Sequence, residues 1–111
     1  MNLTINKQEQ KGQEIFVSIS GEIDAYTAPK LRENLDEIAG QEGIHLTIDL
    51  SDVTYMDSTG LGVFVGMFKK MNATNGHLKL VGLSERLRRL FEITGLADIM
   101  DINSEVKGGV E

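Results

Sequence analysis

Two apolar rhythms take turns along this chain: one repeats every second residue, the other every third or fourth. Leu3 and Ile5, then Ile15, Val17 and Ile19, alternate with polar residues, with EQKGQ between them as a turn. The chain therefore opens on a predicted β-hairpin. From Thr27 to Ala39 the rhythm changes. Ala28, Leu31, Leu35 and Ile38 form one stripe of a helix, Pro29 sits harmlessly in its first turn, and Gly40 and Gly43 end it. IHLTIDL at 44–50 returns to period two, with Ile44, Leu46, Ile48 and Leu50 on one face. A helix over 58–72 follows, then an Asn75-Gly76 turn and a strand in HLKLVGL. Ser84 is placed to cap a helix that turns Leu87, Leu90, Phe91 and Thr94 inward, with Gly95 at its end and a last short strand in ADIMDI. Strands alternating with helices behind an antiparallel opening predict an α/β fold: a mixed sheet of four to five strands with right-handed crossovers.

At 111 residues and 41% hydrophobic content the chain fits one domain with its own core, about 3–103, and a weakly structured tail at about 104–111. It has no cysteine, which excludes disulfides and thiolate metal sites. The net charge of −6, with RLRR at 86–89 as its one short basic run, argues against nucleic-acid binding. MNLTINKQEQ lacks the apolar core of a signal peptide, and the apolar run at 61–68 is far shorter than a membrane span. A soluble cytoplasmic protein without a membrane role is expected.

Enzyme signatures are missing. DSTG resembles the Asp-Thr-Gly of aspartic proteases only superficially, since those need a second carboxylate copy. The G-x-S-x-G elbow, the phosphate-binding glycine loops and metal-ligand spacings are absent. His45 and His77 fall on polar-facing strand positions, as solvated histidines do. No catalytic residue, cofactor or metal is expected.

The stretch YMDSTGLGVFVGMFKKM, residues 55–71, is the unusual one. Its helix carries Gly60, Gly62 and Gly66, and a glycine inside a helix costs about 1 kcal/mol relative to alanine. On a helical wheel Leu61, Phe64, Val65, Phe68 and Asn72 share one face, with Met71 at its edge. Gly62 and Gly66 lie one turn apart on the other side, flanked by Val63 and Met67. Two readings stand: the glycines admit a neighbouring helix of the same domain, or they admit a partner at an exposed apolar patch. Ser58 occupies the N-cap position, where its hydroxyl can accept a first-turn N–H. A phosphate there would meet backbone N–H groups and the positive helix end.

SGEIDAYTAPKLRENL, LSDVTYMDSTGLGVFVG and LSERLRRLFEITGLADI together resemble the RsbV-type anti-sigma-factor antagonists of the STAS domain family. The resemblance spans about residues 12–103. It rests on D-S-T-G-L-G joined to G-E-I-D upstream and L-F-E-I-T-G-L downstream. It implies a single STAS domain, with helices packed largely on one face of the sheet. It also implies a function in partner switching. The unmodified protein would bind an anti-sigma factor that is itself a GHKL-type serine kinase, releasing a sigma factor of the general-stress sigma-B type. Phosphorylation of Ser58 by that kinase would end the complex, and a PP2C-type phosphatase would restore it. Asp24 and Asp57 match family positions on the phosphorylation surface. The full contact surface expected on these grounds comprises Asp24, Thr27, Asp57, Ser58, Thr59, Gly60, Gly62, Val63, Gly66 and Met67. Two alternatives share the fold: a module of another signalling complex, stressosome-like, or a domain that senses a small molecule or nucleotide. The short N-terminus and the lack of a pocket-forming aromatic or polar cluster weigh against them.

Overall fold

Residues 14–23 show how the sheet is built. Ile15, Val17 and Ile19 are buried while Phe16, Ser18 and Ser20 between them are only partly covered, so one face of this strand carries the core. The computed structural model describes residues 2–103, and the expected C-terminal tail at 104–111 lies outside the described residues. Strand β1, Leu3–Lys11, pairs antiparallel with β2, Glu14–Ile23, as the predicted hairpin. Its turn is tighter than EQKGQ suggested. Both strands run to the edge of Gly12, whose positive φ of 59° makes the reversal. Helix α1 (Ala28–Ala39), strand β3 (His45–Met56), helix α2 (Ser58–Ala73), strand β4 (His77–Val81), helix α3 (Glu85–Ile93) and strand β5 (Asp101–Asn103) follow.

The sheet has five strands in the order β1-β2-β3-β4-β5, with every pair after the first parallel. Each parallel step is bridged by one helix and advances in the same direction. Right-handed crossovers of that kind stack their helices on one face. The burial pattern agrees. Leu46, Ile48 and Leu50 of β3 and Leu78 and Leu80 of β4 continue the buried layer of β2, against Leu31 and Leu35 of α1, Phe64 of α2 and Phe91 of α3. Among the described residues no helix packs on the other face. His45, His77 and Asp101 are exposed on it, and His77 Nε2 lies 2.8 Å from Asp101 Oδ2, so both histidines are solvated as their positions implied. No helix among the described residues is long and apolar enough to cross a membrane.

Strand β3 is longer than the expected 44–50. The alternation breaks at Ser51 and Asp52, both exposed, yet backbone pairing with β2 continues to Met56 through register shifts near Ser18–Ser20 and Gly21–Glu22. Ser84 caps α3 as expected, its Oγ accepting the Leu87 N–H at 3.2 Å. Gly95 ends it with a φ of 80°. Thr94 turns outward instead of inward, its hydroxyl donating back to the Leu90 carbonyl at 2.9 Å. A single 3-10 turn, Leu96–Asp98, leads into β5.

Phe64 and Phe91 meet at the centre of the helical layer, fully buried, with ring centroids 6.4 Å apart. Phe64→Ala should destabilise the domain by about 3–5 kcal/mol, through lost burial and the cavity left behind. Chemical denaturation, with the midpoint falling at unchanged m-value, is the measurement.

Candidate functional site

The carboxyl ends of β2 and β3 lie side by side, with Ile23 opposite Met56 and Glu22 opposite Tyr55. The chain leaves the sheet at both points, and the loops that follow share one rim. After β2, Asp24 and Thr27 tie a tight turn reciprocally. Asp24 Oδ1 accepts the N–H groups of Tyr26 at 2.9 Å and Thr27 at 3.0 Å, while Thr27 Oγ1 accepts the Asp24 N–H at 2.9 Å and donates to the Glu22 carbonyl at 2.8 Å. This arrangement holds the turn that leads into α1, whose own cap, Thr27, makes no side-chain cap hydrogen bond. Asp24 and Thr27, both expected on the contact surface, are 8% and 7% exposed, with Asp24 Oδ1 and Thr27 Oγ1 engaged in the turn.

After β3 the cap of α2 is Asp57. Its extended backbone (φ −115°, ψ −171°) lets Oδ1 accept from Thr59 N at 3.0 Å and Gly60 N at 3.2 Å. Ser58, expected to cap, is instead the first helical residue. The reason is stereochemical: a cap needs an extended backbone, and that falls one residue earlier. Among the described residues no hydrogen bond engages the Ser58 hydroxyl, and the side chain is exposed. The first-turn N–H groups of Thr59 and Gly60, which a phosphate would have met, are already held by Asp57.

The buried arc of α2 is wider than the wheel implied. Val63 and Met67, expected on an exposed flank, are each 2% exposed. Helix α2 has a neighbour beside it as well as the sheet beneath it. Helix α1 packs along it, with Lys70 Nζ 3.7 Å from Asp36 Oδ1 and Thr74 Oγ1 donating to the Ala39 carbonyl at 3.2 Å. Val63 and Met67 therefore belong to the core, and neither forms an exposed patch. Val65 and Phe68 are only half-buried, and Asn72 is exposed.

Over its first three turns α2 exposes a narrow stripe with Ser58, Gly62 and Gly66 at every fourth position, beside Thr59. The three glycines divide into two kinds. A methyl group on Gly60 would lie 2.7 Å from Ile23 Cγ2 and 2.8 Å from Met56 Cγ, so this glycine lets α2 sit down on the sheet. Expected on the contact surface, Gly60 is in this fold a packing residue. A methyl group on Gly62 or Gly66 would meet nothing within 4 Å. Neither admits a helix of this domain. Tyr26 and Tyr55, which the patterning did not single out, are large exposed side chains on the same rim. An aromatic residue falling off the buried beat was the signal that could have found them.

These features describe a one-sided α/β sheet domain with an uncommitted serine opening one of its helices. Residues 4–108 match the STAS domain, and the chain belongs to that family. It is 54% identical, over 111 residues spanning 100% of both chains, to an anti-sigma-B factor antagonist of Bacillus subtilis. It is 55% identical over 104 residues to the protein of the same name in Listeria monocytogenes, covering 94% of this chain and 91% of that one. Its fold matches the crystal structure of an anti-sigma factor antagonist from Mycobacterium paratuberculosis with a TM-score of 0.83 at 28% identity, over 95% of this chain and 88% of the other.

Substitution to alanine should separate the glycines. Gly62→Ala and Gly66→Ala should each stabilise the free domain by about 0.5–1 kcal/mol, since helix propensity improves and nothing is displaced. Gly60→Ala should destabilise it by about 1–3 kcal/mol through overpacking. At the helix start, Asp57→Ala should cost about 1 kcal/mol, and Ser58→Ala should fall within about 0.5 kcal/mol of wild type. Thermal and denaturant unfolding of the five variants measure both sets.

Proposed function

We propose that this chain is an anti-sigma-B factor antagonist acting by partner switching in the cytoplasm. The observation that carries the reading is the exposed, unbonded hydroxyl of Ser58, aligned with the two bare glycines of α2 in a chain about half identical to proteins of that name. Unmodified, it binds an anti-sigma factor that is a GHKL-type serine kinase and so frees the sigma factor. The kinase seats its ATP over Ser58. The serine oxygen attacks the γ-phosphorus, the bond to the bridging oxygen breaks, ADP leaves, and the hydroxyl proton passes to a base of the kinase. A PP2C-type phosphatase later hydrolyses the phosphoserine. In both steps this chain is substrate and ligand, and the catalytic groups and nucleotide belong to its partners.

The geometry supports an off-switch that needs no refolding. A phosphate on Ser58 adds about −1.5 to −2 charges. It finds Thr59 N and Gly60 N already bonded to Asp57, so it projects outward beside a carboxylate. A partner surface fitted to a neutral hydroxyl and a bare helix must then accommodate a solvated dianion at the centre of the contact. Weakening a complex 1,000-fold takes only about 4 kcal/mol, within reach of such repulsion and desolvation. Gly62 and Gly66 contribute by letting the partner approach the helix backbone closely.

Incubation with the kinase and ATP should add one phosphate, which peptide mass spectrometry should place on Ser58. Ser58→Ala should bind the kinase permanently and Ser58→Asp should bind at least tenfold more weakly. Phosphate found on Thr59 or Ser84, or equal kinase affinity for the alanine and aspartate variants, would refute the switch.

A further inference from the structure

Asn75-Gly76 is the one Asn-Gly pair in the chain, and the packing of its turn accounts for both residues. Asn75 takes a left-handed backbone with φ 60°, a conformation that asparagine adopts more readily than most side chains. A methyl group on Gly76 would lie 2.7 Å from the Ile44 carbonyl oxygen, so the next position admits no side chain. The turn therefore joins an exposed carboxamide to the residue that shields the following amide nitrogen least. Two contacts restrain the pair. Gly76 N donates to the Met71 carbonyl at 2.7 Å, and Asn75 Nδ2 donates to Oε2 of Glu42, on the connection between α1 and β3. That connection and the Asn75-Gly76 turn are also tied by Gly43 N, which donates to the Thr74 carbonyl at 2.8 Å, and by His77 N, which donates to the Ile44 carbonyl at 2.8 Å.

We infer that Asn75 is a site of spontaneous deamidation, held in check in the folded domain by its bond to Glu42. When the turn opens, Gly76 N gives its proton to a solvent base and attacks Asn75 Cγ, keeping its own peptide bond. A Gly76 N–Cγ bond forms, the Cγ–Nδ2 bond breaks, and the departing amide group takes up a proton and leaves as ammonia. Water then opens the cyclic imide. Addition at Cγ leaves aspartate at 75, and addition at the main-chain carbonyl carbon leaves isoaspartate. Either product undoes the restraint. A carboxylate cannot donate to Glu42 and stands against it as a second negative charge. Isoaspartate also lengthens the main chain by an extra atom, which carries Gly76 N and His77 N away from the Met71 and Ile44 carbonyls. Ser58 follows the carboxyl end of β3, whereas this turn lies at the amino ends of β3 and β4. The reaction therefore loosens the domain without touching the serine.

The full chain is aged in heavy-oxygen water, and peptide mass spectrometry reads the label gained at each asparagine. Folded wild type, wild type in denaturant and folded Glu42→Ala are followed side by side. In denaturant Asn75 should be modified faster than Asn2, Asn6, Asn34, Asn72 or Asn103. In the folded protein it should be modified roughly tenfold or more slowly. Glu42→Ala should speed the folded reaction several-fold while amide hydrogen exchange in β2 and β3 keeps its wild-type rate, which separates release of this turn from global unfolding. Asn75→Asp, the simpler product, should lower the melting temperature by about 4 °C or more. Faster labelling at another asparagine in denaturant would overturn the site, and equal rates in folded and denatured wild type would overturn its protection. Glu42 would lose its role if the folded Glu42→Ala rate were unchanged, or if it rose only together with exchange throughout the sheet. An unshifted melting temperature for Asn75→Asp would refute the loosening.

Discussion

The parallel pairing of β2 with β3 decides where everything else in this molecule can be. Parallel strands share a direction, so their carboxyl ends emerge together, and Ile23 and Met56 end opposite each other. That alignment puts the Asp24–Thr27 turn beside the Asp57–Ser58 helix start. It also forces close contact at one point. Gly60 must lack a side chain because Ile23 and Met56 already occupy the space a methyl would need. Crossover helices then collect on one face, and α1 comes to lie along α2, burying Val63 and Met67. The open stripe on α2 is what this packing leaves uncovered.

Much of the fold was legible because it depends on local rules. Period-two patterning located the strands at Ile15–Ile19, Ile44–Leu50 and His77–Val81. The Ser84 cap and the terminal Gly95 were readable from residue type alone. The misses share a different origin. Whether Val63 and Met67 face solvent depends on a helix some thirty residues earlier in the chain, and a wheel drawn for α2 alone contains no information about α1. Extension of β3 past Leu50 likewise depends on backbone pairing with β2, which persists where side-chain alternation stops.

The candidate site was legible by motif and blurred in role. Ser58 was found, yet its assignment as the cap was off by one residue. Composition permits both aspartate and serine at a cap, and only the extended backbone of Asp57 decides between them. The glycines were seen as one group because their shared rarity in helices was the only visible property. Space around each separates them: Gly60 answers to the sheet, while nothing in the described domain fills the space beside Gly62 and Gly66. Asp24 and Thr27 were placed on the contact surface by resemblance, and their bonds add what no motif states: together they tie the turn after β2.

The displacement of the capping role onto Asp57 has a consequence for how a signal would persist. Because the Ser58 hydroxyl holds no part of the fold, its modified and unmodified forms have the same reasons to stay folded. Quality-control proteases, which remove chains according to how often they open, would then treat both forms alike. Under the proposed switch, the ratio of the two forms reflects the opposing rates of kinase and phosphatase and not differential turnover. A pool of such molecules can be converted back and forth many times without new synthesis.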